Sequence, residues 1–304
     1  MLAPSILLTS TMLLTFSSPT TRGDKRVNDD YLPVLRDAAA YGDFWVAVHV
    51  AEYLIELGYT KQASRVCAEQ LVAHESTPQE RIGLWRVQYR LESQAARKQA
   101  LLNNIINAYE TADGPDRVHA AETLAKLRYC FHQLDTQTVI DDSSRNDMLG
   151  TFVKWGLCIA CQPDIPDNPT PLITLLGTSA EERRLAAYGL TFLSPPSPEQ
   201  WQHLAEAALL EKNKEVRPYL VSAAYQLYDT RLNTLPALFD RIKSQLFALD
   251  ANRKATGTEL CRALAIRPDV QGKELLKELV NKSGLNIDVR AAAVYALMKQ
   301  YPNE

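Results

Sequence analysis

Two stretches of this chain, 70 residues apart, nearly coincide. Val48-His49-Val50-Ala51-Glu52-Tyr53-Leu54-Ile55-Glu56-Leu57 and Val118-His119-Ala120-Ala121-Glu122-Thr123-Leu124-Ala125-Lys126-Leu127 share Val, His, Ala, Glu, Leu and Leu at the same offsets. A separation of that size reads as two units of about 35 residues, and self-similarity at such a period is the mark of a repeat architecture. The degenerate copy expected between them begins at Arg81-Ile82-Gly83-Leu84-Trp85-Arg86.

Extending the register places anchors at Ala47, Arg81, Arg117, Gly150, Arg183, Arg217, Arg253 and Arg290, spaced by 34, 36, 33, 33, 34, 36 and 37 residues. Three residues beyond each anchor stand Val50, Leu84, Ala120, Val153, Ala186, Leu220, Thr256 and Ala293. Seven beyond stand Leu54, Gln88, Leu124, Leu157, Leu190, Ala224, Leu260 and Leu297. Apolar residues at offsets of three, seven and ten line one face of a helix. The two poorest copies carry Gln88 and Lys154 at columns that should be buried, so their registers are expected to shift locally. A second helical stretch lies between anchors, as in Lys61 to Ala73, Ala95 to Tyr109 and Pro198 to Leu210. Turn signals such as Glu75-Ser76-Thr77-Pro78, Asp113-Gly114-Pro115 and Ser194-Pro195-Pro196-Ser197-Pro198 separate them. Each unit is therefore a helical hairpin that buries its apolar face only by stacking on its neighbours.

The pattern resembles the HEAT-repeat family, including the short HEAT-like units of phycobilisome lyases. Asp43 with Val46, Asp116-Arg117-Val118-His119-Ala120-Ala121, Glu215-Val216-Arg217 and Asp288-Val289-Arg290-Ala291-Ala292 carry the resemblance. It implies an all-α fold, a right-handed α-solenoid of about eight hairpins with Asp–Arg ladders between neighbours. One solenoid domain is expected over residues 31–304, its repeats spanning 31–301. A tetratricopeptide array is the alternative, since Ala51, Leu54, Gly58-Tyr59 and Ala63 also fit its period. The full Trp-x-x-Leu-Gly pattern is missing.

The resemblance implies function of a general kind: a scaffold or adaptor binding a protein or extended ligand through its concave groove. Bacterial units of this type look similar to segments that accompany sulfatases and solute symporters, which adds an accessory role in glycan use as an alternative. Offsets two, five and nine should face that groove. They present His49, Glu52, Glu56, Arg86, Arg90, His119, Glu122 and Lys126 in its first third, and Phe152, Trp155, Tyr188, Phe192 and Tyr219 in its middle. The binding candidates are His49, Glu52, Arg86, Arg90, His119, Glu122, Trp155, Tyr188 and Tyr219. His49/Glu52 and His119/Glu122 are spaced to meet on one helix face. With Arg86 between them they form either a structural charge ladder or a small-ligand or enzyme-like centre. The aromatic stripe is either core or a platform for a protein or a sugar ring. Trp45, Trp85 and Trp201 read as core.

No nucleotide-binding glycine loop, nucleophile elbow or His-Glu-x-x-His motif occurs, so neither a catalytic residue nor a cofactor is assigned. Five cysteines, an odd number at irregular spacings, argue against a disulfide framework. Cys158 and Cys161 with Cys130 and His132 hold zinc-ligand atoms but sit in an apolar helix end, and read as core rather than as a metal site. A net charge of −3 offers no attraction for nucleic acid. Met1 to Phe16 is uncharged and apolar, and the first charge is Arg22. Residues 1–22 are therefore expected to be a secretory signal, giving a periplasmic or secreted protein; an ordinary apolar tail on a cytoplasmic chain is the alternative. No stretch reaches the length of a membrane span.

Overall fold

Helix starts fall where the turn residues predict them. Asp43, Asp135 and Asp147 each accept a hydrogen bond from the backbone N–H three residues on, at 2.8–3.0 Å. Ser179 and Ser197 form reciprocal capping boxes with Glu182 and Gln200. The computed structural model describes residues 30–111, 113–228, 235–249, 254–267 and 270–302. The expected signal segment, residues 1–22, lies outside them, as does the anchor Arg253.

Sixteen α-helices run through the described residues, which contain no strand. The first four hairpins are α1 (Leu32–Tyr41) with α2 (Phe44–Glu56), α3 (Thr60–Val66) with α4 (Pro78–Leu91), α5 (Ala95–Thr111) with α6 (Pro115–Lys126), and α7 (Thr136–Ser143) with α8 (Met148–Cys158). The other four are α9 (Thr170–Thr174) with α10 (Ala180–Leu190), α11 (Pro198–Leu210) with α12 (Arg217–Gln226), α13 (Leu235–Phe247) with α14 (Lys254–Leu264), and α15 (Val270–Asn281) with α16 (Ile287–Gln300). The even-numbered helices pack on one another in sequence from α2 to α16, and each odd-numbered helix packs behind its own partner. The all-α hairpin expectation stands.

The apolar columns form the seam between successive inner helices. All eight residues three beyond the anchors are buried, down to Thr256 at 8% exposure. At the seventh position Gln88 and Leu157 are only half-buried, in two of the least regular repeats. Small residues let the helices approach closely. At Gly189 of α10 an added Cβ would press on Leu172 and on the Trp155 indole, at 3.0 and 3.1 Å. Part of the implied charge ladder is present: Arg81 of α4 pairs with Asp116 of α6, and Arg117 with Asp142 at 2.7 Å.

The ends of the array meet. Helix α16 packs against both α1 and α2. Across this junction His49 Nδ1 lies 3.4 Å from Asp288 Oδ1, the Tyr295 hydroxyl donates to Glu56, and the rings of Tyr53 and Tyr295 stack with centroids 4.4 Å apart. Both polar contacts join residues 239 apart in the chain, so α16 and α2 lie parallel, with these contacts one turn off the spacing of the anchors Ala47 and Arg290. Arg86–Glu52 and Arg90–Glu56 show the same parallel relation between α2 and α4, each with a separation of 34. The junction thus uses the same helix faces as an ordinary unit-to-unit contact, but α16 meets α2 over a shorter stretch than any other neighbouring pair of inner helices. The hairpins close into a ring rather than leaving an open concave groove between separated ends.

Five cysteines do yield one bridge, against the expectation from their number. Cys130 and Cys161 form a disulfide with Cα atoms 5.0 Å apart. Cys130 follows α6 and Cys161 follows α8, so the bridge ties equivalent turns of adjacent units. Cys161 lies beyond the helix end at Cys158, which frees it from the core position assigned to it; Cys67, Cys158 and Cys261 are the buried free thiols.

Candidate functional site

Because the inner helices are parallel, residues at one offset form a level around the ring axis. Their axial faces enclose a cavity of about 800 Å³ lined by all eight inner helices. The helix nearest each side chain explains its role. Offset nine supplies Glu56, Arg90, Lys126, Phe192, Gln226, Arg262 and Lys299, a level with four cations and one carboxylate near the C-terminal ends of the helices. Those ends carry the negative pole of the helix dipole, which favours cations there. One turn earlier are Glu52, Arg86, Glu122, Tyr188, Thr258 and Tyr295, with Glu259 beside them. The N-terminal level holds His49, Phe152, Arg184, Leu185, Tyr219 and Asp288.

Most of the charge is paired within the wall. Arg86 is only 2% exposed; its Nε donates to Glu52 Oε1 at 2.8 Å and one terminal nitrogen to the Thr123 hydroxyl at 3.0 Å. Arg90 reaches both Glu52 and Glu56, at 3.5 and 3.4 Å. Lys126 pairs with Glu122 at 2.8 Å, Arg262 with Glu259 at 3.0 Å, and Lys299 with Glu56 at 3.4 Å. The cations also lie over aromatic faces: Lys126 and Arg262 each stand 5.3 Å from the Tyr188 centroid, and Arg262 5.0 Å from that of Phe192.

These neighbours set the protonation of the wall. Burial alone would raise the pKa of Glu52, but Arg86, Lys126, Arg90 and His49 outweigh it and hold the carboxyl at about 2. Glu122 is likewise held far below the ordinary carboxylate range: burial opposes, and Lys126, the His119 contact and Arg86 prevail. Burial pushes the Tyr219 hydroxyl up, and the charge of Glu259 adds to the effect. Both glutamates are therefore anions over the whole ordinary pH range.

Of the nine binding candidates, His49, Glu52, Arg86, Arg90, Glu122, Tyr188 and Tyr219 line the cavity. His119 and Trp155 do not. His119 stacks on Trp45 at 4.9 Å, with Nδ1 3.8 Å from Glu122. Trp155, 1% exposed, is lodged against Gly189 and packs on Phe152, Tyr188 and Phe192; it belongs to the core between α8 and α10. Nor does His49 take the expected partner Glu52: it reaches across the ring junction to Asp288. Trp201 is core, whereas Trp45 and Trp85 are half-buried. The offset rule missed Tyr53, Leu127, Arg184, Thr191, Glu259, Ile266 and Asp288.

Among the described residues no group of three His, Cys, Asp or Glu side chains is placed to hold a metal ion. None of the described helices is long and apolar enough to cross a membrane. Comparison with known families, with characterised proteins and with solved structures yields no match. The HEAT resemblance thus rests on the motif residues alone.

Proposed function

We propose that this chain is a non-catalytic binding protein that takes a small organic ligand, or the end of an extended one, into the axial cavity of its ring. The observation that carries this reading is convergence: eight helices direct paired ions, tyrosines and apolar side chains into one space of about 800 Å³. Cavities of roughly 300–1,000 Å³ with a few convergent polar groups suit small-molecule ligands. Binding is favoured over acid–base chemistry because Glu52 and Glu122 are locked in the charged form, whereas a general acid or base works best with a pKa near the operating pH. A HEAT-like ancestry agrees with the period and the Arg-anchored register. In a ring, the partner-protein expectation becomes a peptide or glycan terminus entering the same cavity. Export is supported by the Cys130–Cys161 bridge, since disulfides persist in oxidising compartments.

The test is recovery of the occupant. Protein purified gently from its native host and then denatured should release a compound that rebinds fresh protein in equimolar amount. A Leu185→Trp variant, which fills the cavity, should not rebind it. Unchanged binding by that variant would move the site elsewhere.

A further inference from the structure

The charges in the cavity do not all find partners within it. Each lining carboxylate has a cation or His in contact: Glu52 and Glu56 with arginines and Lys299, Glu122 with Lys126, Glu259 with Arg262, Asp288 with His49. Arg184 is the lining cation that has no carboxylate partner among the described residues. Its guanidinium stands over the Tyr219 ring, 5.7 Å from the centroid. Around it, at the same level of the ring, are Phe152 of α8, Leu185 of α10 and Tyr219 of α12. One wall of the cavity is thus apolar and aromatic with one positive charge that no carboxylate touches, while on the opposite wall Arg86, Arg90 and Lys299 are all engaged with Glu52 and Glu56.

Building on the cavity-ligand reading, we infer that the occupant is an organic anion, its carboxylate, sulfate or phosphate group held by Arg184 and its apolar body seated against Phe152, Leu185 and Tyr219. An arginine already resting on an aromatic face presents its planar fork to an oxyanion with little further ordering. A cationic ligand would place like charge beside Arg184. It would find the carboxylates across the cavity already engaged. A bare inorganic ion would use only Arg184 and make no contact with the apolar wall formed by the edges of Phe152, Leu185 and Tyr219.

The experiment titrates five probes of one shape into the full chain: phenylacetate, benzenesulfonate, phenyl phosphate, benzyl alcohol and benzylammonium. Binding is read by NMR shifts of the Leu185 and Tyr219 amides. At least one anion should bind about tenfold more tightly than benzylammonium, the ratio expected of one charge-assisted contact. Which of the three binds best identifies the oxyanion. Arg184→Met should abolish the preference, and Arg184→Lys should keep it at lower affinity; the second variant decides the matter if the first does not fold. Equal binding of anions, alcohol and amine, or anion affinity unchanged in Arg184→Met, would overturn the inference and leave the cavity reading intact. If none of the five binds detectably, the inference falls, and the cavity reading stands or falls separately on recovery of the occupant.

Discussion

Arg86 shows how far a single offset in the sequence determines a side chain's surroundings. The repeat register places Glu52, Arg86 and Glu122 at the same level, which reads as a ladder with Arg86 between two carboxylates. Arg86 does reach Glu52, but on its other side it donates to Thr123, and Glu122 takes Lys126 instead. Burial changes the energetics. An exposed pair contributes about 0.2–1 kcal/mol, whereas removing one partner of a buried pair costs about 3–5 kcal/mol. Arg86→Met should therefore destabilise the protein by about that larger amount in urea unfolding, and adding Glu52→Gln should recover part of it. A midpoint unchanged by Arg86→Met would show that Glu52 is neutralised by Arg90 and Lys126 without it. The polar lining was legible wherever the offset rule applied. The rule marked one stripe at two, five and nine residues past the anchor. At about 100° of rotation per residue, offsets one and six flank that stripe, and the axial face of a closed ring is wide enough to include them. Arg184 at offset one, Tyr53 and Glu259 at offset six were missed for this reason.

Helices were readable from period and caps; the turns joining them were less so. Gly58 and Arg128 hold the same place in their repeats, 70 residues apart, and both end an inner helix in the left-handed conformation, with φ of 81° and 57°. Glycine adopts it without penalty, while any other residue there carries some backbone strain. Arg128 is held by the ion pair with Asp167 at 2.8 Å and by donation to the Phe192 carbonyl at 3.0 Å. Asp167 also accepts from the backbone N–H of Ala160 and of Ser194, so one buried carboxylate fastens the turns that follow three successive inner helices. The disulfide acts in the same region. Its signal was present in the sequence: Cys130 and Cys161 stand 13 and 11 residues past their anchors, and turns at similar offsets in adjacent repeats are neighbours. An odd cysteine total hid that pairing. The bridge closes a loop of 31 residues, for which the chain-entropy account gives about 3–4 kcal/mol. Cys130→Ser should lower the unfolding midpoint accordingly, and Cys158→Ser should not reproduce the effect. Equal midpoints for oxidised protein and Cys130→Ser would remove the bridge from the stabilising interactions.

At the scale of the molecule, the sequence specified hairpins and their order but not their curvature. Closure depends on a small rotation at each unit-to-unit contact, summed over eight units, and no local motif records that sum. The contacts that reveal it, His49 with Asp288 and Glu56 with Tyr295, are separated by 239 residues. Closure also changes what the chain's order means. In an open array the terminal units have one neighbour each, and unfolding can start by peeling them away. In a ring every unit has two, so the direction of synthesis leaves little trace in the finished object. A protein joined from residue 302 back to residue 30 by a short linker, and opened instead between α10 and α11 near Pro195, should fold to the same ring and keep the same cavity. Its unfolding transition should match the parent's in steepness. A permuted chain that failed to fold, or that melted in stages, would mean that one junction is the weak point at which the ring comes apart.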